Sequence, residues 1–323
     1  MADNHWRPSA DQQALRLRAD WLTRIRSFFA ARGVLEVETP LLSAASNTDP
    51  NLASITAQTA FGPRWLHTSP EFAMKRLLAG GSGPIYQICK VFRDGEQGRW
   101  HNPEFTMLEW YRPGFDEFAL MDEVETLLRE LLQAPAAEFL TESVTYVDAV
   151  RQIAGVDALA STPNELQACL QRHQVPLPET GPSDAASRDF WLDLIMGEVV
   201  GPKLGLSQPC FVYDYPASQA ALARLKPGGV AARFELYWKG VELANGFHEL
   251  TDAAEQRSRL ARDRAQRRSR GLPMVPQDEH LLEALAQGLP DCSGVALGLD
   301  RLLALALGYD SLQPVLSFPF DRA

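Results

Sequence analysis

The chain has 323 residues, a formal charge of −10 and a pI near 5.2, with 46% hydrophobic and 22% charged residues. That is globular composition, enough for one large domain or two ordinary ones, and its acidity argues against the broad basic footprint of a nucleic-acid-binding surface. No apolar run approaches the roughly 20 residues that span a membrane, the stretch Met1–Pro8 carries no apolar signal core, and Cys89, Cys169, Cys210 and Cys292 lack metal-ligand spacing, as in a reduced cytosolic protein.

Leu15, Trp21, Leu22, Ile25, Phe28 and Phe29 recur at helical spacing, which predicts a helix from about Asp11 to Arg32 stopped by Gly33. Val34 to Leu42 then reads as a strand ended by Pro40. Asn47 to Gly62 looks like a loop and hairpin, and Ser69-Pro70-Glu71 leads into a helix from Phe72 to Ala79, stopped by Gly80-Gly81. Ile85 to Phe92 is rich in β-branched and aromatic residues and predicts a strand. A charged loop follows, and the chain returns at His101-Asn102-Pro103-Glu104-Phe105. On that returning strand, period two puts Phe105, Met107, Glu109 and Tyr111 on one face, with Leu108 and Trp110 on the other. Arg93, at the end of the first strand, is expected to face the carboxylate and phenol of the second.

Asp116 to Leu132 is an amphipathic helix. The weaker stretch from about 138 to 183 reads as an insertion within one domain, 1–323, with a short helix capped at Thr162 and a proline-rich segment, Pro176 to Pro182. Asp184 to Val200 predicts a helix and Cys210 to Tyr215 a strand. From Ala232 to Lys239 the residues alternate with Phe234, Leu236 and Trp238 inward; Gly240 turns the chain and Val241 to Leu250 returns. Asn245, Phe247 and Glu249 share one face of that return, and a bulge near Gly246 is needed to bring Glu242 alongside them. A helix capped by Thr251-Asp252 runs to about Arg270 with seven arginines (257, 259, 262, 264, 267, 268 and 270), read as a solvated face. Gly294 to Leu299 is a short buried strand, followed by a helix opening at Asp300-Arg301.

These pieces, in this order, resemble the catalytic domain of class II aminoacyl-tRNA synthetases. The matching stretches are the helix and strand ending at Pro40, then Phe92-Arg93 with His101 to Phe105, and finally Gly298-Leu299-Asp300-Arg301. The segment Glu242-Leu243-Ala244-Asn245-Gly246-Phe247-His248-Glu249-Leu250 looks like the lysine-pocket strand of the lysyl subgroup, as do Ser69-Pro70-Glu71 and Met107 to Tyr111. The resemblance implies an α+β fold, an antiparallel β-sheet flanked by helices, with ATP and Mg²⁺ as cofactors and a homodimer interface formed by Asp11 to Pro40.

The chemistry implied explains the residue types. Adenylate formation drives a carboxylate into the α-phosphate of ATP, and the planar forks of Arg93 and Arg301 balance two meeting anions. Arg301, at a helix start, adds charge where the macrodipole already favours phosphate. Glu235 and Glu242, on adjacent strands, suit a Mg²⁺ that takes few carboxylates plus phosphate oxygens. Asp94, Gly95, His101, Asn102, Phe105, Leu243 and Gly298 complete the implied ATP site. The remaining acids, Glu71, Glu109 and Glu249, with Ser69, Pro70, Tyr111, Asn245, Phe247 and Ala296, imply a pocket for a cationic amino acid. By resemblance Glu249 and Tyr111 hold the distal ammonium and Glu71 the nearer one.

Three departures refine the resemblance. Only about ten residues precede the first helix, where lysyl-tRNA synthetases carry an anticodon-binding barrel, so no anticodon recognition is expected. Ala296 stands where those synthetases have glycine, and Gly95 where a glutamate touches adenine. A free-standing domain of this kind resembles the family of elongation factor P–(R)-β-lysine ligases. That implies activation of β-lysine and its transfer to a lysine of elongation factor P, with the arginine helix as a docking surface for that partner and with no membrane. The rival readings are a truncated synthetase acting on α-lysine, a related ligase such as an asparagine synthetase, and a non-catalytic amino-acid-binding paralogue.

Overall fold

The computed structural model describes residues 6–135, 139–178 and 187–323. Helix α1 (Gln12–Ala30) begins at Asp11, whose carboxylate accepts from the Ala14 N–H at 2.8 Å. It buries Trp21, Ile25, Phe28 and Phe29. The strand expected over Val34–Leu42 breaks in two: β1 (Leu35–Glu36) and β2 (Leu42–Ser43) lie in different sheets. Pro40 sits in the gap, where a residue without an N–H and with a fixed φ interrupts the ladder. Strands β3 (Thr56–Thr59) and β4 (Gly62–Leu66) complete the small sheet with β2, and α2 (Glu71–Ala79) follows.

The hairpin of β5 (Ile85–Phe92) and β6 (Glu104–Pro113) lies toward one side of the main sheet. Its register pairs Phe92 with Glu104, Gln87 with Glu109 and Ile85 with Tyr111. Arg93 therefore meets Pro103, whose carbonyl accepts its N–H at 2.9 Å, and does not face Glu109 or Tyr111. Those two stand further along β6, Glu109 roughly 20 Å beyond Pro103 at about 3.4 Å per residue.

Helix α3 (Glu117–Leu132) is capped by Asp116. Beyond it come β7 (Glu142–Thr145), α4 (Tyr146–Ala154), α5 (Pro163–Arg172) and α6 (Ser187–Ile195), the last running into a π-turn over Met196–Val200. The Thr162 cap is a full capping box with Glu165. Positions 179–182 of the proline-rich segment and 184–186 of the expected helix lie outside the described residues, as do 138 and 1–5. An apolar cluster of Tyr146, Val150, Leu166, Leu170, Trp191 and Ile195 packs this segment onto Cys210, Val212, Tyr215 and Tyr237 of the sheet.

Strand β8 (Cys210–Pro216), the short β9 (Leu225–Lys226), β10 (Val230–Trp238) and β11 (Val241–His248) come next, then α7 (Ala253–Ser269), α8 (Glu279–Gly288), β12 (Cys292–Gly298) and α9 (Leu299–Ala306). Lys239 and Gly240, both at positive φ, make the tight turn between β10 and β11. The main sheet runs β1-β5-β6-β12-β11-β10-β8-β7, with β9 on β10. Its pairs are antiparallel except β1 with β5 and β7 with β8 at the two edges. This is the expected α+β sheet flanked by helices, mixed at its margins. Leu108 and Trp110 turn into the main core beneath α1, α3 and α9. On the opposite face Met74 and Leu78 of α2, Leu260 of α7 and Leu281 and Leu285 of α8 cover Ile85 and Tyr111. The rest of that face is open.

Candidate active site

A cleft of about 340 Å³ lies on this open face, and it collects side chains from β6, β10, β11, β12, α2 and α9. Phe105, Met107, Glu109 and Tyr111 all line it, as the alternation of β6 predicts. Glu242 reaches it through a bulge, but not the one expected near Gly246. Leu236 pairs with Ala244 and Tyr237 with Glu242, so Leu243 is the extra residue. Gly246 is needed for another reason: a Cβ there would come within 2.4 Å of the Phe234 ring.

One end of the cleft is cationic. Arg301 donates to the carbonyls of Trp100 (3.0 Å) and Glu242 (2.9 Å) and to His101 Nε2 (2.9 Å). An arginine cannot accept, so His101 Nε2 must, which fixes its proton on Nδ1. Burial first, then the charge of Arg301, lowers the His101 pKa and keeps the ring neutral. The Arg93 guanidinium lies 5.1 Å from the Phe105 ring centre and 3.7 Å from Glu96, and its buried Nε has no hydrogen-bond partner among the described residues.

Glu235 and Glu242 flank these arginines. Glu235 accepts from Arg233 Nη2 at 2.5 Å and from the Tyr237 hydroxyl at 2.7 Å. Desolvation in the cleft and then the neighbouring Glu235 push the Glu242 carboxyl above its usual range, with Glu235 the firmer cause because the Glu242 side chain is 42% exposed. Two acids held together in this way fit a cation between them.

The other end is acidic. The Glu109 carboxylate accepts from Ser69 (2.8 Å) and from the Tyr111 hydroxyl (2.7 Å). Beside it, Lys75 of α2 is buried at 2% exposure, with its Nζ 2.5 Å from Glu71 and 2.6 Å from Glu249. Burial works to lower the Lys75 pKa, yet the Glu249 and Glu71 carboxylates outweigh it and the net shift is upward. Burial, then Glu71, pushes Glu109 up to about 7. The acids expected to await a cationic ligand are thus already part-neutralised from within the fold. Burial likewise raises Glu249, against the pull of Lys75.

The structure brings Arg93, Arg301, His101, Phe105, Glu235, Glu242, Leu243, Gly298, Ser69, Glu71, Glu109, Tyr111, Asn245, Phe247, Glu249 and Ala296 into the one cleft. It does not bring in Pro70, Asp94 or Gly95. Pro70 is the N-cap of α2; the Asp94 N–H is spent on the Ala53 carbonyl at 2.8 Å; and Gly95 turns the loop at φ +77°. Asn102 lines the wall but its amide is engaged, donating to the Glu104 carbonyl (2.6 Å) and accepting from Phe320 N–H (3.0 Å).

Two kinds of residue escaped the sequence reading. Lys75 had a signal, its i,i+4 spacing from Glu71. The loop residues Asn47, Asp49, Asn51 and Leu52 also line the cleft. Their anchor is α7: Arg267 donates to the carbonyls of Asp49 (2.8 Å) and Leu52 (3.2 Å). Arg267 is buried, and Arg259 is too, donating to the Ala221 (2.9 Å) and Ala223 (2.7 Å) carbonyls. The seven arginines are therefore not one solvated face; Arg257, Arg262, Arg268 and Arg270 are the exposed ones.

A family model described as tRNA synthetases class II (D, K and N) matches residues 4–322. Enzymes of that family use ATP and Mg²⁺ to activate amino acids. Glu235 and Glu242 fit the magnesium role, which would offset charge on the ATP phosphates; Arg93 and Arg301 fit those phosphates directly.

Proposed function

The chain belongs to the class II tRNA synthetases of the D, K and N group, and from that premise we propose that it activates (R)-β-lysine and transfers it to a lysine of elongation factor P. In the first step a carboxylate oxygen of β-lysine attacks the α-phosphorus of ATP; the new O–P bond gives the adenylate and pyrophosphate leaves. In the second, the acceptor amine attacks the adenylate carbonyl, an amide forms, AMP leaves and the amine gives up a proton. Arg93 and Arg301 balance the meeting anions, which positioning and charge alone accomplish without a nucleophilic side chain.

One observation supports the reading above the others: the arginines and the acidic cluster line a single cleft. A diamino acid spans it with its carboxylate toward Arg93 and Arg301 and its ammonium groups toward Glu71, Glu109 and Glu249. Ala296 lines the floor, paired with Asn245 and Glu109 on the neighbouring strands. Its methyl favours an amino acid whose nearer amine is displaced from the α position. The exposed arginines of α7 offer a cationic face to an acidic partner. Leu15, Leu35, Leu41 and Leu42 are exposed on and just after α1, and a second copy of the chain would cover them in a homodimer. Among the described residues no helix is long and apolar enough to cross a membrane, and the cytoplasm is the compartment proposed.

ATP–pyrophosphate exchange with β-lysine against α-lysine, followed by mass spectrometry of elongation factor P, tests the reading. Exchange with β-lysine and one β-lysyl addition to elongation factor P are expected. Preference for α-lysine with charging of tRNA would favour a synthetase, and no exchange a binding paralogue.

A further inference from the structure

Lys75 is a buried ammonium just behind the acidic wall of the cleft, and neither the family match nor the reaction assigns it a task. It projects from α2 between Glu71, one turn back on the same helix, and Glu249, just past the end of β11. Both contacts are charge-assisted, and Glu249 Oε1 is buried without a hydrogen-bond donor among the described residues. Among the described residues, Glu109 and Tyr111 of β6, Cys89 of β5 beside Glu109, and Cys292 of β12 are the other titratable groups around this cluster.

A buried lysine is costly unless its partners are fixed, and three acids around one cavity repel one another. The two problems answer each other here. Lys75 lies within 2.6 Å of two of the three acids, and the third, Glu109, is held by two hydroxyl donors. Once a cationic ligand draws all three carboxyls into their ionised forms, three carboxylates against one ammonium leave two negative charges, the number that a ligand with two ammonium groups neutralises.

We propose that Lys75 is a positioning residue for the amino acid: an internal ammonium that fixes the Glu71 and Glu249 carboxyls in place, favours their ionised forms and sets the charge of the pocket to match a doubly cationic ligand. Lys75 does not touch the ATP end, so it acts on recognition and not on the phosphoryl chemistry. Oε1 of Glu249, the oxygen that Lys75 does not hold, is the one offered to the ligand. The inference rests on the diamino-acid reading given above and adds to it the source of the pocket's charge.

The test is ATP–pyrophosphate exchange from pH 6 to 9 in the wild type, Lys75→Met, Lys75→Arg and the double variant Lys75→Met/Glu249→Gln, using whichever of β-lysine and α-lysine the wild type accepts. Lys75→Met is expected to raise the amino-acid KM by at least about 30-fold, to move the pH midpoint of that KM upward, and to leave the ATP KM within about twofold. Lys75→Arg, which keeps the charge, is expected to restore part of the loss. The double variant, with the pair replaced by neutral groups, is expected to fold even if Lys75→Met does not, and to bind the amino acid as poorly. Equal loss in the amino-acid and ATP KM, or no shift of the pH midpoint, would overturn the proposal. If the wild type activates neither amino acid, the functional reading fails, and Lys75 is judged on the unliganded protein instead. Carbon-13 titration of the glutamate carboxyls, with Glu249 assigned from Glu249→Gln, is then expected to move upward in Lys75→Met; an unmoved Glu249 signal overturns the inference.

Discussion

Arg301 donates to the backbone carbonyl of Glu242 at 2.9 Å, while its guanidinium stays 3.8 Å from the Glu242 carboxylate. Carbonyls, a neutral histidine and a loose ion pair orient this fork without cancelling its charge, so it remains available to an anion. Arg301→Ala is expected to lower kcat for ATP–pyrophosphate exchange about 100-fold or more. Arg301→Lys is expected to recover little, because a point charge cannot make the three divergent contacts. Near wild-type exchange by Arg301→Lys would show that charge alone is needed.

Glu242 carries the same logic with opposite sign. Burial and Glu235 already disfavour its ionised form, so a divalent cation between the two acids relieves a repulsion that the bare fold contains. Glu242→Gln is expected to raise the Mg²⁺ concentration for half-maximal exchange by about tenfold or more. A Mg²⁺ titration curve that overlays the wild type would remove Glu242 from the metal site.

The acidic end makes a pH prediction. Glu109 has an ordinary value of 4.5 and is pushed up to about 7 in the fold. Between these values the folded chain binds more protons than the unfolded one, so the stability of the unliganded protein falls as pH rises from about 4.5 to about 7. Below that window both states are protonated and the effect is flat. Glu109→Gln is expected to flatten the slope in denaturant unfolding measured across the window. Affinity for a cationic amino acid is expected to run the other way, rising through pH 7 as Glu109 ionises.

Much of this site was legible in the chain because its signals are local. Period two alone sorted Phe105, Met107, Glu109 and Tyr111 from Leu108 and Trp110, and the helix starts at Asp11, Asp116 and Thr162 rest on hydrogen bonds within the first turn. What escaped depends on partners distant in sequence. Glu249 meets Lys75 only after the sheet has formed, and nothing at Lys75 itself distinguishes a buried ammonium from a solvated one. Arg259 and Arg267 look like their exposed neighbours until the carbonyls they serve are in place. Local alternation requires a bulge but does not locate it: Gly246 answers to the Phe234 ring across the strand pair, and the extra residue is Leu243.

The proposed homodimer makes a separate prediction. Leu35, Leu41 and Leu42 are between 42% and 57% exposed, a dense apolar run for solvent to wet. Light scattering on the intact chain is expected to give the mass of two copies. Leu41→Glu combined with Leu42→Glu is expected to give one copy with the fold intact by circular dichroism. A wild-type monomer at micromolar concentration would rule the interface out.

Gly294 of β12 is the tightest point of the pocket. A Cβ at this position would lie 2.2 Å from Tyr111 Cε1 and 2.6 Å from Glu249 Oε1, so no rotamer of a larger residue fits while those two stay in place. Tyr111 cannot simply swing aside: it is buried and its hydroxyl holds Glu109. At Gly298, on the same strand, the nearest atom to such a Cβ is 3.8 Å away, so the constraint belongs to the position and not to the strand. Gly294→Ala is therefore expected to displace Tyr111, cost about 1–3 kcal/mol of stability, and raise the amino-acid KM while the ATP KM stays put, since the arginines lie at the other end of the cleft. The measurement is denaturant unfolding beside exchange kinetics. A stable Gly294→Ala protein with an unchanged amino-acid KM would mean that the ligand does not sit against Tyr111 and Glu249.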